Sequence, residues 1–403
     1  MVRLLERLGR IVPPLPDAPG GVPVARVCFL YIAQAHQVLH SLSVAVALAR
    51  ERPDIQVDVA ATDPVVLAYA RMVVGQLGHA PIQWRLLGPS WLRAFRLFDS
   101  VPPKLPMLAI NAHALGAYDV IVAPERTTAA LRSMGVTAKL VYSQHGAGDR
   151  KGPFEARLGK FDLVFAAGAK QRDRMVSEGL VDADNCAVVG YPKFDLVDQL
   201  RPRLPRLFAN DRPTVLYNPH FDADLSSWPL WGRQVLDMFA GQSRYNMIFA
   251  PHLRLFASRP ASRVPELAPY VGNRSIHIDT GGTSACIDMT YSRLADVYLG
   301  DVSSQVYEFL RDPRACVFLN PHRTAWSADK SYTHWQFGPV VDDLQNLLPT
   351  LEASRAGHAG YRPTQVAGFT ETFGALSGTS SSLAANAIAG LLLAETILTR
   401  LPI

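Results

Sequence analysis

From Val24 onward the chain alternates short apolar runs with amphipathic stretches, and most of the runs stop at proline, glycine or histidine. That alternation is the mark of successive βα units, in which parallel strands are buried between helices. VARVCFLYI reads as a first buried strand, AHQVLHSLSVAVALARE as a helix, and IQVDVAAT as the next strand. YDVIVAP, KLVYSQHG, FDLVFAAG and NCAVVGYP continue the series. A basic, proline-rich segment, QLRPRLPRLFANDRP, interrupts it from Gln199 to Pro213 and reads as a linker. The pattern then restarts with TVLYNPH, YNMIFAPH, SIHIDT, ADVYLGDVSS and ACVFLNPH. SSSLAANAIAGLLLAETILTRL closes the chain as a helix with a serine available as N-cap.

At 403 residues the chain exceeds one ordinary core, which suits two domains. The expected fold class is α/β, with two Rossmann-like domains facing a central cleft and a C-terminal helix crossing back. The expected parts are a basic N-terminal helix and linker (1–23), an N-terminal Rossmann-like domain (24–205), a C-terminal Rossmann-like domain (206–380) and a final helix (381–403). In open sheets of this kind, ligands sit beyond the C-terminal strand ends. No 20 to 50 residue repeat is visible, which excludes a solenoid.

Composition narrows the class further. Hydrophobic residues at 48% and charged residues at 19% belong to a folded chain. Cys28, Cys186, Cys286 and Cys316 form no C-x-x-C pair, so a reducing, cytoplasmic setting is expected. No apolar stretch reaches the roughly 18 residues of a membrane span; Leu383 to Leu398 contains Asn386 and Glu395. Net charge is +5, which suits anionic partners, although an excess this mild also serves solubility. Arg3, Arg7 and Arg10 are interleaved with apolar residues in an N-terminal helical pattern suited to an anionic membrane face. The basic residues form no interleaved aromatic stripe, so no nucleic-acid role is expected.

Three strand ends carry residues with chemistry. His145, in SQHGAGDRK, follows a strand and precedes Gly146 and Gly148, a placement suited to a general base; the alternative is a loop histidine in a structural hydrogen bond. His252 ends YNMIFA and has Arg254 two residues on, a pair suited to phosphate oxygens or, equally, to an exposed loop. Asp301, Ser303 and Ser304 follow ADVYLG and open a helix, where serines serve as caps or help seat a pyrophosphate.

Other candidates weigh less. His36 and His40 stand four apart without the H-E-x-x-H pattern, and Asp222 and Asp224 read as solvated loop acids before metal ligands, so no metal is expected. TGGT at 280–283 is neither G-x-G-x-x-G nor a P-loop, and G-x-S-x-G is absent. Dehydrogenase, P-loop kinase and common hydrolase classes are thereby disfavoured, and no cofactor is expected.

Read in order from Lys139 to Leu348, these motifs resemble the CDP-glycerol glycerophosphotransferase family, enzymes of teichoic-acid-type polymer synthesis with a GT-B-like fold. The matching pieces are His145-Gly146, GYPKFD at 190–195, LYNP at 216–219, Pro251-His252, Asp301-x-Ser303-Ser304 and FGPVVDDLQNLL. The resemblance implies that His145 activates the acceptor and that His252 takes part at the donor phosphates. By the same resemblance Arg254, Asp301, Ser303, Ser304 and Asn218 line the donor side, and Gly146, Lys193 and Asp195 the acceptor side. The chain departs from the family at Ala147 to Arg150, at Ala250, at Lys193, and at His220, Phe221 and Asp222.

The expectation is a transferase that moves glycerol phosphate or a related phosphoalditol from a CDP-linked donor to a hydroxyl of a lipid-linked or polysaccharide acceptor. It would work in the cytoplasm, peripheral to the inner membrane face. A nucleotide-sugar glycosyltransferase of cell-envelope glycan synthesis is the alternative, and a binding protein without activity is the third reading.

Overall fold

The computed structural model describes residues 25–95, 101–149, 154–257, 259–375 and 378–398. The expected basic N-terminal helix lies outside them. The chain divides into two compact units. The first takes Met1–His145, Phe154–Arg201 and Thr372–Ile403; the second takes Gly146–Pro153 and Pro202–Glu371.

The first unit is built on a seven-stranded sheet, in the order β3-β2-β1-β4-β5-β6-β7. Its strands are β1 (Ala25–Tyr31), β2 (Ile55–Ala61), β3 (Ile82–Leu86), β4 (Val120–Ala123), β5 (Lys139–Tyr142), β6 (Leu163–Ala166) and β7 (Cys186–Val188). All pair in parallel, with Val27 opposite both Val57 and Val120. Parallel strands are covered on both faces, which is why they read as continuous apolar runs; Val27, Cys28, Phe29 and Leu30 are all 0% exposed. β3, IQWRL, was not read from the sequence. It is an edge strand whose middle residues are only half buried, so it lacks the apolar run that marks its neighbours.

The second unit holds a six-stranded parallel sheet ordered β10-β9-β8-β11-β12-β13. These are β8 (Thr214–Asn218), β9 (Asn246–Phe249), β10 (Ile276–Ile278), β11 (Val297–Gly300), β12 (Ala315–Leu319) and β13 (Val340–Val341). Its core packs Tyr217, Phe239, Phe249, Leu299 and Leu319. Chain order reverses at β1/β4 in the first sheet and at β8/β11 in the second. Such switch points leave a crevice at the C-terminal strand ends.

Two expected helices differ in detail. AHQVLHSLSVAVALARE is a 3-10 helix, Ala35–His40, followed by an α-helix, Leu42–Glu51, with non-helical Ser41 between them. In the closing helix, Ser380–Leu398, the carboxylate of Asp195 accepts from Ser381 N at 2.7 Å, a duty the sequence reading gave to a serine. That helix packs on Leu42–Glu51, where Ser381 Oγ donates to Ser43 Oγ at 2.8 Å and Ser382 Oγ to Glu51 Oε1 at 2.6 Å. The helix Pro192–Leu200 stops at Arg201, whose φ of 43° is left-handed, and residues 202–213 run without regular structure.

Candidate functional site

In the first unit, the ends of β1, β4 and β5 bring together histidines and a glutamate, joined by Lys104 from the start of the helix Lys104–Leu115. His145 Nδ1 lies 2.5 Å from the carbonyl oxygen of Pro124. A carbonyl only accepts, so Nδ1 carries the proton and Nε2 carries the lone pair. The His36 ring meets the His145 ring edge-on at 6.0 Å. Burial lowers the His145 pKa below its ordinary 6.5, with Arg126 and Lys104 acting the same way and Glu125 and the Pro124 carbonyl opposing. At neutral pH this imidazole is a base with its lone pair on the nitrogen turned away from the backbone bond.

Glu125, beside it, accepts from Lys104 Nζ at 3.0 Å, Gln37 Nε2 at 3.3 Å and Thr127 N at 3.3 Å. Burial alone raises its pKa, but Lys104, His145 and the Lys104 and Gln37 hydrogen bonds outweigh it and hold the carboxyl at about 2. A folded value below the ordinary 4.5 stabilises the native state fully above 4.5, and this is lost as pH falls toward 2. Glu125→Gln is therefore expected to flatten the acid limb of stability between pH 4.5 and 2, read as urea midpoints against pH; an unchanged acid limb would count against the pairing.

His40 is 5% exposed and packs edge-on to Tyr191 at 5.4 Å. Burial drives its pKa well below 6.5, with Lys193, His145 and His36 adding to the effect. Lys193 is itself 5% exposed.

In the second unit, the ends of β8, β9 and β11 meet around Asp301. Its Oδ1 accepts from His220 N at 2.9 Å and Val302 N at 2.8 Å, and its Oδ2 from Ser227 N at 2.6 Å and Ser227 Oγ at 2.8 Å. Four hydrogen bonds fill the carboxylate's acceptor positions. Burial raises the Asp301 pKa, and the bonds from Ser227, His220 and Val302 pull against that rise. Its carbonyl oxygen accepts from His334 Nε2 at 3.1 Å and Trp335 Nε1 at 3.0 Å. Ser303 Oγ accepts from Gln305 N at 3.3 Å, and Ser304 precedes the short helix Gln305–Phe309. On β9's exit, His252 Nδ1 accepts from Arg254 N at 3.2 Å, and the Arg254 guanidinium lies 4.1 Å over the Phe221 ring.

Several expected site residues have other duties. Asp301, 1% exposed, ties two loops together through backbone N–H groups, so its carboxylate is committed within the fold. Asn218 Nδ2 donates to Ala250 O at 2.6 Å and links β8 to the β9 exit. Asp195 holds the start of the closing helix. Gly146 and Gly148 lie against Ser304: an added Cβ would come within 3.1 Å of Ser304 Oγ and 2.9 Å of Ser304 Cβ respectively. Their smallness serves that close packing, and Gly146 falls in the second unit. Asp149 follows, accepting from Tyr307 Oη at 2.5 Å with His334 Nδ1 at 3.3 Å.

The TGGT segment wraps Asp279, whose carboxylate accepts from Gly281 N, Gly282 N, Thr283 Oγ1 and Tyr291 Oη. Among the described residues no group of three or more His, Cys, Asp or Glu is arranged to hold a metal ion, and no helix is long and apolar enough to cross a membrane. Glu125, Lys104, His220 and Phe221 were not among the expected site residues. The Pro-His pair repeated at 219–220 and 251–252 was the signal available for His220.

No family model matches the chain, and no curated protein matches it. Among solved structures, a variant of the wall teichoic acid polymerase TagF is similar with a TM-score of 0.61 and 11% identity, over 92% of this chain and 90% of that one. A UDP-N-acetylglucosamine 2-epimerase described as putative, from Listeria monocytogenes, gives 0.60 and 13%, over 94% and 98%. S. aureus MnaA solved with UDP gives 0.61 and 10%, over 92% and 97%. A polymerase and an epimerase share this architecture, so it does not by itself choose a reaction. What the likeness establishes is the fold: two parallel α/β sheets of the GT-B-like kind.

Proposed function

We propose that the protein is a transferase of the GT-B type that moves glycerol phosphate, or a related phosphoalditol, from a CDP-linked donor to a hydroxyl group of a lipid-linked or polysaccharide acceptor. The observation that carries this reading is His145, whose lone pair is fixed on Nε2 by the Pro124 carbonyl. The His252/Arg254 and Ser303/Ser304 corners, on the second sheet's C-terminal edge, supply the donor side. A TagF structure soaked with CDPG shares the fold and supports a donor of this kind.

In the proposed reaction His145 Nε2 takes the proton of the acceptor hydroxyl. The acceptor oxygen forms a bond to the phosphorus of the glycerol phosphate, the bridging oxygen bond to CMP breaks, and CMP leaves with the electron pair. His252, Arg254 and the two serines stabilise charge on the phosphates, which is the main requirement of phosphoryl transfer. Lys193 belongs to the acceptor side, next to His40. Asp301, Asn218 and Asp195 enter as positioning residues.

A nucleotide-sugar donor is the second reading, favoured by the UDP-bound MnaA structure, whose TM-score equals that of the TagF variant. The test uses donors labelled separately in phosphorus and in the alditol or sugar, with glycan and lipid-linked acceptors. Joint transfer of phosphorus and glycerol supports the proposal, whereas sugar alone supports the second reading. Nucleotide binding with no transfer to any acceptor overturns both.

A base is active unprotonated, so kcat/KM is expected to fall as pH drops through the His145 pKa. Because burial holds that pKa below 6.5, the half-maximum should lie below pH 6.5. A half-maximum above pH 7 would remove His145 from this role.

A further inference from the structure

β8 and β9 are neighbours in the second sheet, and each runs out into the same dipeptide, Pro219-His220 and Pro251-His252. The two exits repeat one turn. Asp222 N donates to His220 Nδ1 at 3.0 Å, as Arg254 N donates to His252 Nδ1 at 3.2 Å. An imidazole nitrogen that accepts holds the lone pair, so in both neutral rings the proton sits on Nε2. This is the opposite tautomer to that of His145.

The His220 and His252 ring centroids are 5.6 Å apart, and Phe221 packs against both, at 4.4 Å and 4.6 Å. The Arg254 guanidinium lies on that same phenyl ring. The Asp301 carboxylate fixes the His220 backbone N–H and sits beside the β8/β11 switch point. One phenyl ring thus gathers two imidazoles in the N–H donor form and one cation. A metal ion would need lone pairs on the Nε2 atoms and would be repelled by Arg254, whereas a phosphate oxygen is matched by N–H donors and a guanidinium.

We infer that His220 is a second imidazole contact to the phosphates of a nucleoside diphosphate, acting beside His252, and that Phe221 is the positioning residue on whose ring Arg254 rests. The inference rests on the donor-side reading of His252 and Arg254. It gives a function to the stretch where this chain carries His220, Phe221 and Asp222.

Asparagine at 220 keeps the turn and removes the Nε2 donor. Its Oδ1 accepts the same Asp222 N–H in an Asx turn, but it has no group at the Nε2 position. Calorimetric titration of the full chain with CDP, UDP, inorganic pyrophosphate and cytidine is the measurement, alongside melting temperature. His220→Asn is expected to melt within a few degrees of wild type, to bind both diphosphates and pyrophosphate about tenfold more weakly, and to bind cytidine as wild type does. The His220→Asn/His252→Asn double variant should lose less than the product of the single losses, because both rings serve one anion. Phe221→Leu keeps apolar volume without a ring face and should weaken diphosphate binding with cytidine unaffected.

Unchanged diphosphate affinity in a normally melting His220→Asn overturns the inference, as does wild-type protein that binds none of the three phosphate probes. If His220→Asn melts abnormally, wild-type affinity in Phe221→Leu overturns it instead. Because these readouts need no turnover, absence of glycerol phosphate transfer together with the expected affinity losses would refute the transfer reading and leave this inference standing.

Discussion

Replacing His145 by alanine is expected to lower transfer about 10²- to 10⁴-fold, the usual contribution of a positioned general base, with CDP affinity little changed. The argument is chemical before it is positional. The Pro124 carbonyl can only accept, so it selects the tautomer in which Nε2 receives a proton, and burial keeps that nitrogen unprotonated at neutral pH. Alanine removes the acceptor of the proton and leaves the second sheet's corners as they are. His145→Gln sharpens the test: its amide can still donate to the Pro124 carbonyl, but it cannot take up a proton. Equal losses in the two variants identify lost base chemistry, whereas near-full turnover in His145→Gln shows that the ring was only structural.

The second large effect is on stability. Asp301→Ala should strand the backbone N–H groups of His220, Val302 and Ser227, all of which now end on one carboxylate. A buried unsatisfied donor costs about 1–3 kcal/mol, and partial relaxation of the loops brings the sum to roughly 4 kcal/mol. For a unit of this size that is a fall of about 10 °C in melting temperature. Calorimetry would read it directly, and a melting temperature within 2 °C of wild type, on the same scale, would show that the loops hold without Asp301. Nucleotide affinity should fall as well, because the His220 turn loses its anchor.

The sheets were legible in the sequence because parallel strands buried on both faces leave unbroken apolar runs, as in CFLY of β1 and VLY of β8. The edges were less so: β3 mixes Gln83 and Arg85 among its apolar residues, and β13 has two residues. At the site, the sequence placed His145, His252 and the Asp301 loop at strand ends, where the structure has them. It did not tell an acid that faces ligand from one that faces backbone, because an aspartate after a strand suits either. Asp195, Asp301 and Asn218 are the cases in point: each side chain hydrogen-bonds to backbone within the fold, which a residue type at a strand end does not show. Gly146 lies where an added Cβ would come within 3.1 Å of Ser304 Oγ, a close approach that the sequence does not reveal. The contribution of Phe221 depends on a ring stacked between β8 and β9 exits that are about thirty residues apart in the chain, and no local pattern reveals that.

The first unit is assembled from three separated stretches, and its last one includes the helix Ser380–Leu398 lying on Leu42–Glu51. During synthesis, then, the unit whose strands emerge first is completed last. Asp195, Ser43 and Glu51 wait for Ser381 and Ser382 until the whole second unit has left the ribosome. The second unit's own segments have all emerged by Glu371, so translation order favours finishing the second unit before the one that carries His145. A chain released early would carry the His252 and Ser303 corners on a finished sheet and His145 on an unfinished one.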